Sequence, residues 1–197
     1  MIRIGIIGSI GSGKSFIAKL FKYPVFDADK EVRYLYKNSR ECYRKLNKIL
    51  PKHVRSFPVR KKELIIAINE NKKNLKKISS IVHPIIREKM KIFLNKKKNS
   101  KIIILDIPLL IENKLNKKKD VLLFVKTNRK KIKERLKKRP NFNMKTFRSL
   151  KENQLNLSKK RRIANYIIDN NYSPNIMKKK INLLKKTILN ERNSIRH

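Results

Sequence analysis

Residues 5–15 read GIIGSIGSGKS, and this stretch holds every glycine of the 197-residue chain, namely Gly5, Gly8, Gly11 and Gly13. Glycine adopts positive φ angles without strain and lets a ligand approach the main chain closely. A chain that otherwise avoids glycine and collects it here is predicted to bind a ligand with the backbone of this segment.

The segment GSIGSGKS at 8–15 matches the phosphate-binding pattern G-x-x-x-x-G-K-[ST] without a mismatch. The apolar run at 2–7 predicts a buried strand before it, and a helix is expected from about Lys14. In that setting the loop N–H groups form an anion nest, to which the helix N-terminus adds its positive end. We therefore predict a P-loop in which Lys14 reaches the β- and γ-phosphates of ATP and the Ser15 hydroxyl ligates Mg²⁺. The predicted ATP-binding residues are Gly8, Ser9, Ile10, Gly11, Ser12, Gly13, Lys14, Ser15 and Phe16.

The charge is strongly positive, with 54 Lys and Arg against 14 Asp and Glu and a net charge of +40. The basic runs are spread along most of the chain, whereas a nucleic-acid-binding arm would concentrate them. We interpret the charge as compositional bias together with a general attraction for phosphorylated ligands. Dedicated RNA or DNA binding is the second interpretation.

Cysteine usage and apolar runs limit the class of protein further. The single Cys42 excludes a disulfide framework and has no neighbours spaced as zinc ligands, so we expect an ordinary helix residue in a reducing cytoplasm. The start of the chain is too short for a signal peptide, and no apolar run is long enough to span a bilayer. We therefore expect no membrane association.

Strand and helix patterns alternate outside one long helical region. Further strands are predicted at 25–26, 101–106, 120–126 and 165–169, with helices between them and a last helix at about 174–190. Residues 30–98 read as helical throughout, with Pro51, Pro58 and Pro84 separating the segments. The pattern predicts an α/β fold, a parallel sheet covered by helices on both faces, with a helical insertion.

Carboxylates follow two of the predicted strands, at the sheet edge where ligands bind in α/β folds. Asp29 in F-D-A-D would orient an attacking hydroxyl or accept its proton, or equally would serve as a helix N-cap. Asp106 would hold Mg²⁺ through water, as Asp27 would, or is a turn or cap residue. The spacing alone leaves both questions open.

Five segments stand out along the chain: GSIGSGKS (8–15), FDADKEVRYL (26–35), IVHPIIREKM (81–90), ILDIPLLIEN (104–113) and ENQLNLSKKRRIANYIIDNN (152–171). They occur in the order and at about the spacing of the dephospho-CoA kinase family, which this chain resembles over residues 2–171. The family pattern is a P-loop, D-x-D, H-P-x-I-R, PLL-x-E and a final Q…K-R…A-D-x-x-I-x-N.

The resemblance implies transfer of the γ-phosphoryl group of ATP to the ribose 3′-hydroxyl of dephospho-CoA, with Mg²⁺, giving coenzyme A. It implies the three-layer P-loop fold of nucleoside-monophosphate kinases, with a five-stranded parallel core, a helical acceptor-binding insertion and a lid. On this basis the nucleotide-binding core is expected at 1–30, 100–138 and 163–197, the insertion at 31–99 and the lid at 139–162. We therefore expect a single enzyme domain in the cytoplasm, and we favour a monomer over an oligomer.

The resemblance also assigns site residues. It makes Asp29 the catalytic carboxylate, places His83, Arg87, Leu109 and Glu112 on the acceptor side, and puts Arg139 at the start of the lid, over the transferring group. Without it, His83 reads as a capped helix start and Arg87 as a solvated arginine. Arg161 and Arg162 are further candidates on the same lid.

The chain departs from the family pattern at several positions. Phe16 follows the Mg²⁺-binding serine where a small residue is common, Asn165 replaces the usual aspartate, and Tyr23-Pro24 stands where a glycine usually precedes the second strand. Arg60 and Lys61 have no secure place as acceptor ligands. The alternatives that remain are a kinase for another nucleotide or small metabolite and a nucleic-acid-binding P-loop protein, although no aromatic stacking ribbon or nucleic-acid motif is evident.

Overall fold

The computed structural model describes residues 1–138, Met144, Phe147, Glu152 and 154–194. The chain divides into two units, which we call the core unit and the helical unit. The core unit contains Met1–Phe26, Asn99–Pro140 and Leu155–His197, and the helical unit contains Asp27–Lys98 and Asn141–Gln154.

A five-stranded sheet organises the core unit. Its strands lie in the order β2-β3-β1-β4-β5, and the β1–β3, β1–β4 and β4–β5 pairs are parallel. All five predicted strands are confirmed, and the fold is the predicted α/β architecture. The strand bounds are β1 Ile2–Gly8, β2 Val25–Asp27, β3 Ile102–Asp106, β4 Val121–Lys126 and β5 Tyr166–Asp169.

The three central strands are buried because apolar side chains point to both faces of the sheet. Residues of α1 (Lys14–Leu20) and of the last helix, α8 (Pro174–Ser194), join the same apolar cluster as the strand residues. Among the described residues, the core unit also contains the helices α6 (Arg129–Lys137) and α7 (Leu157–Arg162). A fully buried Ile or Leu contributes about 1.5–3 kcal/mol to the free energy of unfolding. The cluster therefore stabilises the sheet whose strand β1 leads into the glycine-rich loop.

Four helices form most of the helical unit, α2 (Ala28–Asn38), α3 (Arg40–Ile49), α4 (Lys61–Glu70) and α5 (Lys73–Lys96). Helix α5 contacts each of the other three. Its buried side chains recur every four residues, as expected for one apolar face: Ile78, Val82, Ile86 and Met90. The predicted helical character of 30–98 is confirmed except over residues 50–60, which contain Pro51 and Pro58 and form no helix.

The expectation that Pro84 separates two helices is wrong, because Pro84 lies inside α5. A proline inside a helix removes one backbone hydrogen bond and costs about 3 kcal/mol. The apolar face continues across it, since Val82 and Ile86 are both buried, and their burial offsets that cost.

Within the described part of the chain, no helix combines the length and the apolar character needed to cross a bilayer.

Candidate active site

The glycine-rich loop connects β1 to α1 and adopts backbone angles that favour glycine. Gly11 has φ +83° and Gly13, the residue that precedes α1, has φ +89°. A Cβ atom at Gly13 would lie 2.4 Å from Asn170 Nδ2, so a larger residue is excluded by space as well as by conformation. The cluster of glycines therefore reflects both the path of the main chain and the close packing around it.

Lys14 folds back over this loop. Its Nζ donates hydrogen bonds to the carbonyl oxygens of Ser9 (2.9 Å) and Gly8 (3.3 Å). The side chain is half-buried, whereas the next two residues, Ser15 and Phe16, are exposed. The ammonium group and the Ser15 hydroxyl thus lie at the start of α1, where the loop pattern predicted them.

Three side chains that the sequence analysis did not select converge on the Ser12 carbonyl oxygen. Asn170 Nδ2 donates at 2.8 Å, Thr127 Oγ1 at 2.9 Å and Arg135 Nη1 at 3.0 Å. Ser12 and Asn170 are almost completely buried. The loop is therefore held from outside by residues of other elements of the core unit.

The sequence carried a signal for two of these three residues. Thr127 directly follows β4, and Asn170 directly follows β5, so both lie at the carboxyl edge of the sheet where ligands bind. Asn170 also occupies the last position of the family pattern I-x-N. Arg135 precedes the predicted lid residue Arg139 by four residues, but a single arginine carries little information in so basic a chain.

Asp106 ends β3 at the same edge. Its neighbour Leu105 pairs with Gly5 of β1, and the Asp106 side chain is buried. No group of three or more His, Cys, Asp and Glu residues suited to a metal ion occurs among the described residues.

The start of α2 answers the question that F-D-A-D raised about capping. Asp27, not Asp29, is the N-cap, because Asp27 Oδ1 accepts a hydrogen bond from the Lys30 N–H at 2.8 Å. Asp29 lies in the first turn of α2 with an exposed side chain. The capping interpretation of Asp29 is therefore wrong. Both aspartates belong to the helical unit, which begins at Asp27.

His83 and Arg87 lie one turn apart in the middle of α5. The interpretation of His83 as a helix start is wrong, since α5 begins ten residues earlier, at Lys73. Burial lowers the pKa of the His83 imidazole below its usual value, and the positive charge of Arg87 lowers it further. His83 is thus neutral at pH 7 and can accept a hydrogen bond on one ring nitrogen.

The Glu112 carboxylate is engaged inside the core unit. Its Oε1 lies 2.6 Å from Lys160 Nζ and accepts the Leu155 N–H at 2.9 Å. The Lys160 side chain is only 1% exposed and that of Glu112 10%. Leu109, in the same segment, is half-buried. The pair joins the segment after β3 to the segment that contains α7.

The predicted lid arginines differ in whether the structure describes them. Arg161 and Arg162 lie in α7 with exposed side chains, and Arg139 lies outside the described residues. Asn165, where the family has aspartate, accepts the Leu122 N–H on Oδ1 at 2.7 Å. An aspartate would accept the same hydrogen bond, so this departure preserves the contact.

The turn before β2 contains a residue other than glycine at a positive φ angle. Lys22 takes φ +56°, in the left-handed region that favours glycine. Pro24 begins the edge of the sheet and accepts the Ile104 N–H at 2.9 Å, for which no N–H of its own is needed. The chain thus keeps the turn and the strand pairing at the expense of a strained lysine.

Comparisons with known proteins agree on one family. Residues 2–175 match the family model described as dephospho-CoA kinase (CoaE). A dephospho-CoA kinase of Bartonella quintana is 37% identical over 172 residues, which cover 84% of this chain and 87% of the relative. The crystal structure of TT1252 from Thermus thermophilus is similar with a TM-score of 0.77 at 26% identity, covering 96% of this chain and 97% of that chain. The dephospho-CoA kinase from Campylobacter jejuni shares the fold, with a TM-score of 0.63 at 20% identity, covering 94% of this chain and 96% of that chain.

Proposed function

The chain belongs to the dephospho-CoA kinase family, and we propose that it transfers the γ-phosphoryl group of ATP to the ribose 3′-hydroxyl of dephospho-CoA. The product is coenzyme A, so the reaction is the last step of its biosynthesis. The observation that carries the proposal is the match over residues 2–175, because it includes both the phosphate-binding loop and the helical unit. The enzyme is thus a phosphotransferase with an alcohol group as acceptor.

The nucleotide phosphates are held by the loop at 8–15 and by Lys14. Loop N–H groups and a lysine are the usual ligands of β- and γ-phosphates in P-loop kinases. In support, Lys14 Nζ already lies over the loop, bonded to the Ser9 and Gly8 carbonyls. On nucleotide binding the ammonium group exchanges these neutral partners for charged phosphate oxygens, which are stronger acceptors.

Mg²⁺ enters with ATP, and the oxygen donors of this chain suit it. The Ser15 hydroxyl is exposed beside Lys14, and Asp106 and Asp27 are the last residues of two strands of the sheet, β3 and β2. Hydroxyl and carboxylate oxygens are hard ligands of the class that Mg²⁺ selects. Ser15 would hold the ion directly, and Asp106 or Asp27 would hold it through water. When bound, the ion neutralises charge on the phosphate oxygens.

Asp29 carries the proton chemistry. It orients the 3′-hydroxyl of the acceptor. The 3′-oxygen bonds to the γ-phosphorus while the bond from that phosphorus to the β–γ bridging oxygen breaks. Asp29 takes the hydroxyl proton late in this step, and ADP leaves. The exposed position of Asp29 in the first turn of α2 supports this assignment, because an acceptor can reach it.

The acceptor is bound mainly by the helical unit. His83, neutral at pH 7, accepts a hydrogen bond from it, and Arg87 offers a positive charge to its phosphates. Leu109 and Glu112 complete the acceptor side from the segment after β3. Because Glu112 is paired with buried Lys160, we assign it the role of fixing this segment rather than a direct charge interaction.

A lid at 139–162 closes over the transferring group. Arg139 would stabilise the negative charge that spreads over the equatorial oxygens in the transition state, with Arg161 and Arg162 as further candidates. Closure also excludes water and so limits hydrolysis of ATP.

Buried Cys42 suits a reducing compartment, and we place the enzyme in the cytoplasm.

The test is ADP release from ATP and Mg²⁺ across a panel of acceptors, namely dephospho-CoA, shikimate and nucleosides, with the product of each reaction identified by ³¹P NMR. We expect ADP release only with dephospho-CoA, a new 3′-phosphomonoester signal, and loss of turnover when a chelator removes Mg²⁺. Equal or faster turnover with another acceptor, or phosphorylation at another position, would contradict the proposal.

A further inference from the structure

The three donors on the Ser12 carbonyl suggest a function beyond packing. We infer that Thr127, Arg135 and Asn170 form a clamp that aims the Gly13 N–H at a nucleotide phosphate. This inference rests on the proposed binding of a phosphate by the loop at 8–15. The clamp residues are positioning residues, since they act through the Ser12–Gly13 peptide and not on the substrate directly.

The direction of the Gly13 N–H follows from peptide geometry. The Ser12–Gly13 peptide is trans, because Phe57-Pro58 is the one cis bond among the described residues. In a trans peptide the carbonyl oxygen and the following N–H point to opposite sides. With the Ser12 oxygen turned toward Thr127, Arg135 and Asn170, the Gly13 N–H is turned away from them.

The number and charge of the donors go beyond what a single carbonyl needs. A carbonyl oxygen has two lone pairs, yet the Ser12 oxygen receives three donors, and one of them is a guanidinium. Donors on the oxygen polarise the peptide and make its N–H a stronger donor. The arrangement therefore both aims the Gly13 N–H and strengthens its attraction for an anion.

The clamp is mounted on rigid elements of the core unit. Asn170 N–H donates to the Lys126 carbonyl at 2.8 Å, and Arg135 Nη2 donates to the Asn170 carbonyl at 3.2 Å. Lys126 and Asp169, which directly precede Thr127 and Asn170, are paired in the sheet. The clamp thus transmits the position of the β4 and β5 ends to the loop.

Close packing around Gly13 restricts the movement of the Ser12–Gly13 peptide. A Cβ atom on Gly13 would lie 2.4 Å from Asn170 Nδ2 and 3.1 Å from Arg135 Nη1. On the next side of the loop, a Cβ atom on Gly11 would meet the Ile132 and Leu136 side chains of α6 at 3.2 Å. The peptide therefore has little room to rotate while the clamp is in place.

The experiment compares Thr127→Val, which removes the hydroxyl at nearly constant volume, with Thr127→Ser, which keeps it. Calorimetric titrations of the full chain with ADP and with AMP, both with Mg²⁺, separate the β-phosphate from the rest of the nucleotide. We expect Thr127→Val to weaken ADP about fivefold, the effect of one hydrogen bond, and to leave AMP within twofold. Thr127→Ser should bind ADP like the wild type.

A second pair tests the charged member of the clamp. Arg135→Met should weaken ADP tenfold or more, because charged donors contribute more than neutral ones. Lys133→Met is the control, since Lys133 is an exposed residue of the same helix and its substitution removes the same charge. It should weaken ADP by less than twofold, and a loss equal to that of Arg135→Met would overturn the clamp in favour of a general charge effect.

A merely structural role would lower thermal stability or the active fraction without separating ADP from AMP. The clamp is overturned if Thr127→Val binds ADP like the wild type, if it weakens ADP and AMP equally, or if Thr127→Ser weakens ADP as much. In each of these results wild-type ADP binding persists and the proposed kinase function stands. Failure of the wild type itself to bind ADP would refute the nucleotide role of the loop and the clamp together.

Discussion

The ion pair between Lys160 and Glu112 allows a quantitative prediction for Glu112→Gln. Lys160 Nζ lies 2.6 Å from Glu112 Oε1, and the two side chains are 1% and 10% exposed. The glutamine amide can still accept the Leu155 N–H, so the substitution removes the charge and little else. It leaves the ammonium group of Lys160 buried without a counterion.

Removing one partner of a buried ion pair costs about 3–5 kcal/mol of the free energy of unfolding. Because the amide oxygen retains a hydrogen bond to the lysine, we expect the lower end, about 3 kcal/mol at pH 7.

The assay is equilibrium unfolding in urea at pH 7, with the midpoint and the slope of the transition compared between variants. The matched control is Glu41→Gln, because Glu41 and Lys45 also approach to 2.6 Å but are 73% and 54% exposed. That variant should unfold like the wild type, since exposed ion pairs add little. A Glu112→Gln transition indistinguishable from that of the control would show that buried Lys160 does not depend on its counterion.

Three further predictions follow from single residues. Lys22→Gly should raise the free energy of unfolding by about 0.5–1 kcal/mol in urea titrations, because Lys22 has φ +56° and glycine relieves that strain; unchanged stability would contradict this. Burial, with Glu41 adding to it, raises the pKa of the Cys42 thiol to about 11, so a thiol reagent at pH 8 should label it only in denaturant, and rapid labelling of the native chain would refute its burial. Because the pKa of His83 is lowered in the native chain, the unfolded chain takes up a proton at a higher pH than the native chain does. The free energy of unfolding should therefore fall as the pH drops below about 6.5, and His83→Gln should reduce that slope. An identical slope in His83→Gln would show that burial leaves this group unperturbed.

Much of the fold was accessible from the sequence because local patterns and tertiary packing agree. The apolar strands at 101–106 and 120–126 are buried on both faces, as their composition indicates. Pro84 was misjudged because local propensity opposes a helix there, while the apolar face of α5 continues through it. Packing decided the outcome at a position where propensity alone pointed elsewhere.

The site was accessible only where a residue is marked by local spacing. The loop at 8–15 carries its own pattern, so its glycines and Lys14 are evident in the sequence. Thr127, Arg135 and Asn170 act on that loop from distant positions, and only the parallel sheet brings them to it. The pairing of Glu112 with Lys160 was hidden for the same reason, since 48 positions separate them in a chain where lysine is abundant.

Whether Asp29 promotes phosphoryl transfer to dephospho-CoA is decided by the turnover of Asp29→Asn. ADP release is followed with ATP and Mg²⁺, with and without dephospho-CoA, for the wild type, Asp29→Asn and the charge-matched control Glu41→Gln. We expect acceptor-dependent turnover in the wild type and the control, and a rate about 100-fold lower in Asp29→Asn with little change in KM for ATP. Turnover of Asp29→Asn close to that of the wild type, or no stimulation of the wild type by dephospho-CoA, would contradict it.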